Sequence, residues 1–221
     1  MAPTALAKQD FPSLGEYAYE RLRARIREGA LPPGTRVREA EVAGQLGISR
    51  TPVREALRRL EADGFLTFEP HRGTVVVQLD HQSVMELYAM REALEGTAAG
   101  LAAQHASEAE IANLRDMLDR EAAILDDPQG LATHNAQFHQ MLFRAAHNRY
   151  LLKTANALRD SMALMRGTTM AVPGRAGTAH DEHRALVEAI RSRQSDAAER
   201  AARGHIHSAQ TARLKLLFDA V

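Results

Sequence analysis

The hydrophobic period of this chain leaves the helical pattern only once. The stretch 64–79, "GFLTFEPHRGTVVVQL", reads as two short strands, Phe65 to Phe68 and Thr74 to Val77, around the turn-forming "EPHRG". Every other periodic segment is helical. A lone hairpin is marginal in water and has to pack against helices, so the chain must be mostly α, with one hairpin appended to a helical module. Upstream, "LGEYAYERLRARIREGAL" (14–31) puts Tyr17, Leu22 and Ile26 on one side among charges, and "PPG" stops it. "REAEVAGQLG" (38–47) is a short helix ending at Gly47, a suitable left-handed cap residue. A third helix follows the Gly47-Ile48-Ser49 turn, with Ser49 or Thr51 as N-cap and Pro52 in its first turn. Downstream of Ser83, helices are expected at about 83–104, 107–125, 130–147, 148–170, 177–193 and 195–219, broken at "DDPQG", "HN" and "VPGRAG".

The expected organisation is therefore a flexible segment over 1–13, a winged helix-turn-helix over 14–79 and an all-helical antiparallel bundle over 83–221. Scarce aromatics and abundant Ala, Leu, Arg and Glu favour helices that approach closely through small residues. The chain has no cysteine, which excludes disulfides and thiolate metal sites. The first residues lack the apolar core of a signal peptide, and no run is long enough to span a membrane. A cytoplasmic protein is expected. Lys plus Arg and Asp plus Glu both number 28, so any basic surface has to be local.

Such a surface lies in "SRTPVREALRRLEADGFL" (49–66). At about 100° per residue, Val53, Ala56, Leu57 and Leu60 share one stripe of the third helix, while Arg50, Arg54 and Arg58 form the adjacent one. An arginine stripe alone is usually a solvated face, and Glu55 or Glu61 could pair with it. The order around it points further. Helix, tight turn and arginine-led helix make a helix-turn-helix, whose second helix enters the major groove by its N-terminal end. Arg50, Thr51 and Arg54 lie at that end. Arginine bonds a guanine edge bidentately or holds phosphates. His71, Arg72 and Gly73 at the hairpin tip offer a second contact.

The run "PPGTRVREAEVAGQLGISRTPVREALRRLEADGFLTFEPHRGTVV" resembles the DNA-binding domain of the GntR family of bacterial transcription regulators. The resemblance implies that Arg50 and Arg54 contact DNA with Thr51 nearby, that the wing around His71 and Gly73 does so too, and that Arg58 touches a backbone phosphate or nothing.

The helical part carries a second pattern. Asn135 and His139 lie one turn apart beside Phe138 and Leu142; His183 sits among Leu186, Val187 and Ile190; His205 sits among alanines of the last helix. Three inward histidines are either unrelated core residues at separate depths or a convergent metal site, since neutral imidazole is a common ligand of first-row metals. His134, His147 and His207 point to polar faces, and His180 lies one turn before His183. "YAMREALEGTAAGLAA", "NAQFHQMLFRAAHNRYL", "DEHRALVEAIRS" and "AAERAARGHI" resemble the FadR-type, all-helical effector domain (FCD domain) of GntR regulators. That resemblance implies a divalent metal, zinc, nickel or manganese, on Asn135, His139, His183 and His205, with Asn135 standing where Asp is common. It also places Arg91 at a position that often faces the pocket; the simpler reading of Arg91 is an ion pair with Glu92 or Glu95.

The expected function is a DNA-binding transcriptional regulator, a repressor released by its ligand. A homodimer would bind a palindromic operator, and a small carboxylated metabolite bound at the metal would change operator affinity. The rivals are a metal-dependent hydrolase or lyase built on the three histidines, and a regulator that senses the metal ion itself. Against the enzyme stand the lack of "HExxH" and of an evident general base, Glu182 being turned about 100° from His183 on its helix.

Overall fold

A computed structural model describes residues 8–165 and 167–218. The expectation of a flexible start therefore falls largely outside the described residues, as does the last residue of the final helix expected to reach 219. The chain divides into two compact units. One comprises residues up to 79 together with 159–166, the other residues 80–158 and those from 167 onward.

The first unit holds α1 (Leu14–Arg27), α2 (Glu39–Leu46) and α3 (Arg50–Ala62), then β1 (Leu66–Glu69) and β2 (Gly73–Val76). Ser13 caps α1 by accepting from the Glu16 amide, and the helix buries Tyr17, Ala18, Tyr19, Leu22 and Ile26. Those side chains meet Val53, Ala56, Leu57 and Leu60, the apolar stripe expected for α3. Gly47 ends α2 at φ 60°, a conformation that costs other residues a Cβ clash. Ser49 is the N-cap residue of α3, which leaves Thr51 inside the helix. The hairpin pairs Leu66 with Val76 and Glu69 with Gly73, each strand one residue away from its expected position. The free edge of β2 is covered by residues 34–37: Gly34 N donates to Val76 O, Val76 N to Thr35 O and Val37 N to Thr74 O. The wing is thus pinned to the helical module along one side.

The second unit holds α4 (His81–His105), α5 (Glu108–Ala122), α6 (Pro128–Ala145), α7 (Arg149–Met162), α8 (Arg175–Arg191) and α9 (Ser195–Phe218). The end of α7 groups with the first unit. α4 packs chiefly against α9 and also touches α6 and α8. Small residues make the α4–α9 approach close: a Cβ on Gly96 would lie 2.9 Å from the Arg203 stem. Leu114, Phe138, Leu142, Leu186 and Ile190 fill the centre against Ala98, Ala99 and Ala102 of α4.

Several boundaries differ from expectation, three of them next to a turn. The helix expected over 148–170 stops at Met162, and only a 3-10 turn follows at Thr169–Ala171. α6 starts at Pro128, which serves as the first helical residue after Asp127 caps the Gln129 and Gly130 amides. α8 starts at Arg175 after Gly174, which adopts φ 77° and offers no side-chain cap. Leu142 is fully buried at the centre of the second unit. Leu142→Ala is expected to cost about 2–5 kcal/mol of stability, read as a lowered melting temperature.

Candidate functional site

Two clusters stand out, one in each unit. On the first, Arg50 and Arg54 project from the opening turns of α3, their side chains 63% and 53% exposed. Both reach one carboxylate, Glu39 at the start of α2. Glu39 Oε1 accepts from Arg50 Nε (2.9 Å) and Arg54 Nη2 (2.9 Å), and Oε2 accepts from Arg54 Nε (3.1 Å). The hydrogen bond from Arg54 is the main cause of a lowered Glu39 pKa, with Arg50 adding to it. Thr51 is exposed beside them; Arg58, one turn on, is exposed and takes no part in this network. Arg59, next to it, has a supporting role: its guanidinium lies 3.8 Å from the Tyr19 ring centroid and bonds Glu16 at 2.5 Å, tying α3 to α1.

At the hairpin tip, His71 (φ 66°) and Gly73 (φ 80°) both adopt left-handed backbone. His71 is exposed. Arg72 folds back, donating from Nη1 to Glu69 (2.6 Å) and from Nη2 to Gly34 O (2.9 Å). It braces the turn against the 34–37 segment.

On the second unit, His139 of α6, His183 of α8 and His205 of α9 come together. One ring nitrogen of each lies within 4.8 Å of those of the other two. Ring centroids are 5.4 Å (139–183), 5.1 Å (139–205) and 4.4 Å (183–205) apart. His183 is wholly buried, and His139 and His205 are buried too. The three histidines are therefore one cluster. His134 bonds Met117 O and His147 bonds Glu110, away from it.

Each imidazole turns Nδ1 toward a glutamate. His139 Nδ1 lies 2.5 Å from Glu95 Oε2, His183 Nδ1 2.9 Å from Glu121 Oε1, and His205 Nδ1 2.8 Å from Glu182 Oε2. His180 shares Glu121 at 3.1 Å. At His183 the Glu121 carboxylate accepts from Nδ1–H, which puts the proton on Nδ1 and leaves Nε2 as a lone-pair donor. Nε2 of His139 and of His183 is buried without a hydrogen-bond partner, as are His139 Nδ1, close to Glu95 but not aligned for a bond, and Asn135 Oδ1, one turn before His139. Burial pushes the His183 pKa down against the Glu121 bond. Burial, with His183 and His139 adding, puts His205 well below its ordinary value. Burial pushes the Glu95 carboxyl up, but His139 and Arg91 outweigh it and hold it well below the usual carboxylate range. A neutral imidazole on an ionised carboxylate, as at His183 and Glu121, is the protonation state that a metal ligand needs.

Two guanidiniums flank the cluster. Arg91 is buried, donates from Nε to Glu95 Oε1 at 3.0 Å, and lies over the Tyr88 ring. It thereby makes the expected helical ion pair and, through Glu95, stands next to His139. Arg175, also buried, donates to Glu182 Oε2 at 2.7 Å and lies 3.4 Å from His205 Nδ1. Glu182 is therefore not turned away from the histidines, as its position beside His183 suggests: its side chain crosses to His205 on the neighbouring helix.

Residues 14–76 match the family described as bacterial regulatory proteins, gntR family, and residues 86–208 match the FCD domain. The chain belongs to the GntR family, in its FadR-type, FCD-containing branch. It is a transcriptional regulator and not an enzyme. Its relatives include the probable D-xylose utilization operon transcriptional repressor of Paenarthrobacter nicotinovorans, 38% identical over 82% of this chain and 80% of that one. The repressor RspR of Escherichia coli is 26% identical over 87% of this chain and 86% of that one. Among solved structures, E. coli McbR/YncC shares the fold with a TM-score of 0.75 and 21% identity, covering 94% of this chain and 100% of that one. The helical FCD domain of this GntR regulator holds the histidine cluster; its winged module carries the arginines. No described helix is long and apolar enough to cross a membrane.

Proposed function

We propose that this GntR regulator is a repressor that holds a divalent metal on His139, His183 and His205 with Asn135 as an oxygen donor, and that a small carboxylated metabolite binding there changes operator affinity. The observation that carries the reading is the set of buried, unpartnered donors, Nε2 of His139 and His183 and Oδ1 of Asn135, beside imidazoles whose other nitrogen faces a glutamate. Buried polar atoms are rarely left without partners, and unpartnered Nε2 atoms on two of three clustered histidines call for a ligand. Zinc, nickel and manganese all suit nitrogen–oxygen ligation. When bound, the metal supplies a positive centre that attracts a carboxylate. Arg91 and Arg175 add fixed positive charge beside it, and guanidinium forks suit carboxylates.

On the DNA side, Arg50 and Arg54 read base edges with Thr51 beside them, Arg58 serves a backbone phosphate, and His71 with Gly73 brings the wing to the duplex. Arg72 supports the wing through Glu69 and Gly34. The active species is a homodimer on a palindromic operator, because two identical modules read two identical half-sites. The acid has to bind the operator-competent and operator-incompetent states unequally for the equilibrium to move.

The test combines metal analysis of the dialysed protein with a DNA-shift assay on the region upstream of its own gene, titrated with a panel of small acids. D-xylose joins the panel because a relative is named for that sugar's operon. Release of the duplex by one acid, dependent on retained metal, supports the reading. Release by metal alone would make the ion itself the signal. Metal-free protein that responds fully to an acid would sink the metal's role.

A further inference from the structure

Glu39 is the first residue of α2, and its side chain is only 21% exposed because the two arginines of α3 close over it. A carboxylate in the first turn of a helix has an ordinary role, complementing the helix dipole. Here it does more. Three N–H groups of two separate guanidiniums converge on its two oxygens, Arg50 Nε, Arg54 Nε and Arg54 Nη2. The Nε edge of each fork is therefore occupied. Nη1 of Arg54, the second hydrogen of its Nη2 and both Nη groups of Arg50 are not used by Glu39, and they are the ones available to a base edge.

The charge balance matters equally. Two exposed arginines alone would bind any phosphate, because phosphate contacts carry no sequence information. A carboxylate between them cancels one positive charge of the pair and repels phosphate oxygens. It repels the neutral guanine O6/N7 edge less than an anionic phosphate, and it accepts from a cytosine amino group where one is presented.

We propose that Glu39 is the positioning residue of the DNA-reading surface, fixing the forks of Arg50 and Arg54 so that this carboxylate sets sequence preference rather than overall affinity. This rests on the reading of α3 as the helix that contacts bases.

The test uses full-length protein and two duplexes: one selected by the wild-type protein from a random-sequence pool, and a scrambled version of it. Binding is measured by fluorescence anisotropy across a salt series. Glu39→Ala is expected to tighten binding to the scrambled duplex about three- to tenfold and to steepen the salt dependence by about one phosphate per module. The ratio of selected to scrambled affinity should fall at least about tenfold, one lost base discrimination in each module. Glu39→Gln should recover part of that ratio, since an amide oxygen still accepts, but not the wild-type salt slope, since the charge is gone. A carboxylate that served only the helix start would lower the melting temperature and weaken both duplexes in proportion. An unchanged ratio with an unchanged slope overturns the proposal. Arg54→Ala in the same series separates the two levels. If it leaves the selected duplex bound, α3 is not the reading helix. If it abolishes binding while Glu39→Ala leaves ratio and slope alone, the α3 reading stands and Glu39 has no positioning role.

Discussion

Arg54→Ala should abolish operator binding while the protein keeps its helicity and its melting temperature. A bidentate arginine–guanine contact is worth about 1–3 kcal/mol of discrimination, and a dimer presents it twice, so the loss is about 2–6 kcal/mol per operator. In a shift assay at physiological salt that reads as the disappearance of the specific complex. A second effect works in the same direction. Without Arg54, Glu39 loses two of its three hydrogen-bond donors and faces the duplex as a less compensated carboxylate. Folding should hardly notice, because Arg54 is half exposed and the core face of α3 belongs to Val53, Ala56, Leu57 and Leu60. Arg58→Ala provides the contrast. A phosphate contact would weaken all duplexes alike and lower the salt slope by about one per module, without altering sequence preference. Tight operator binding by Arg54→Ala would refute the assignment of α3 to the groove.

The parts of the fold legible in the sequence were those written in local periodicity. The three short helices and the hairpin follow from apolar spacing and from Gly47, and the structure moves their limits by a residue or a few. The start of α8 was hidden for a physical reason. Its N-cap is Gly174, which carries no side-chain signal, and the helix begins inside a segment that reads as a turn. That hidden turn places Arg175 beside His205, so its part in the cluster was hidden with it. The histidines were legible because each lies on the apolar stripe of its own helix; their convergence was not, because it depends on three crossings. Glu121 was legible in principle. It continues the stripe of Ile111, Leu114 and Leu118 on α5, and a carboxylate on an apolar stripe needs a buried partner. Glu39 left no local trace, since its partners stand 11 and 15 residues away. Glu182 shows the limit of helical-wheel arguments. A long side chain reaches a neighbouring helix from a position that points away from its own adjacent residue.

The sharpest outcome on the effector side is expected from removing two imidazoles and, separately, from adding one charge. The double variant His183→Ala with His205→Ala should purify without stoichiometric metal, because at most one imidazole and one amide oxygen remain of the four donors. It should also be less stable even before metal is considered. Glu121 is almost fully buried, and losing His183 leaves it with His180 alone. Leaving a buried acceptor short of its hydrogen-bond donor costs about 1–3 kcal/mol, and more for a carboxylate. A fall in melting temperature therefore does not by itself prove a metal site, and the opposite change resolves the ambiguity. Asn135→Asp keeps shape and volume but turns a neutral oxygen donor into an anionic one, and Asn135 Oδ1 is already buried without a protein partner. If a cation sits there, this variant should hold it through dialysis that strips the wild type, and metal should raise its melting temperature by more than it raises that of the wild type. If no cation sits there, the substitution only puts a charge on a buried oxygen without a partner, and the variant should be destabilised with no response to metal. The two substitutions thus push the protein in opposite directions only when the histidines are ligands. Metal content unchanged in the double variant, together with an Asn135→Asp protein that is merely less stable, would return all three histidines to the core.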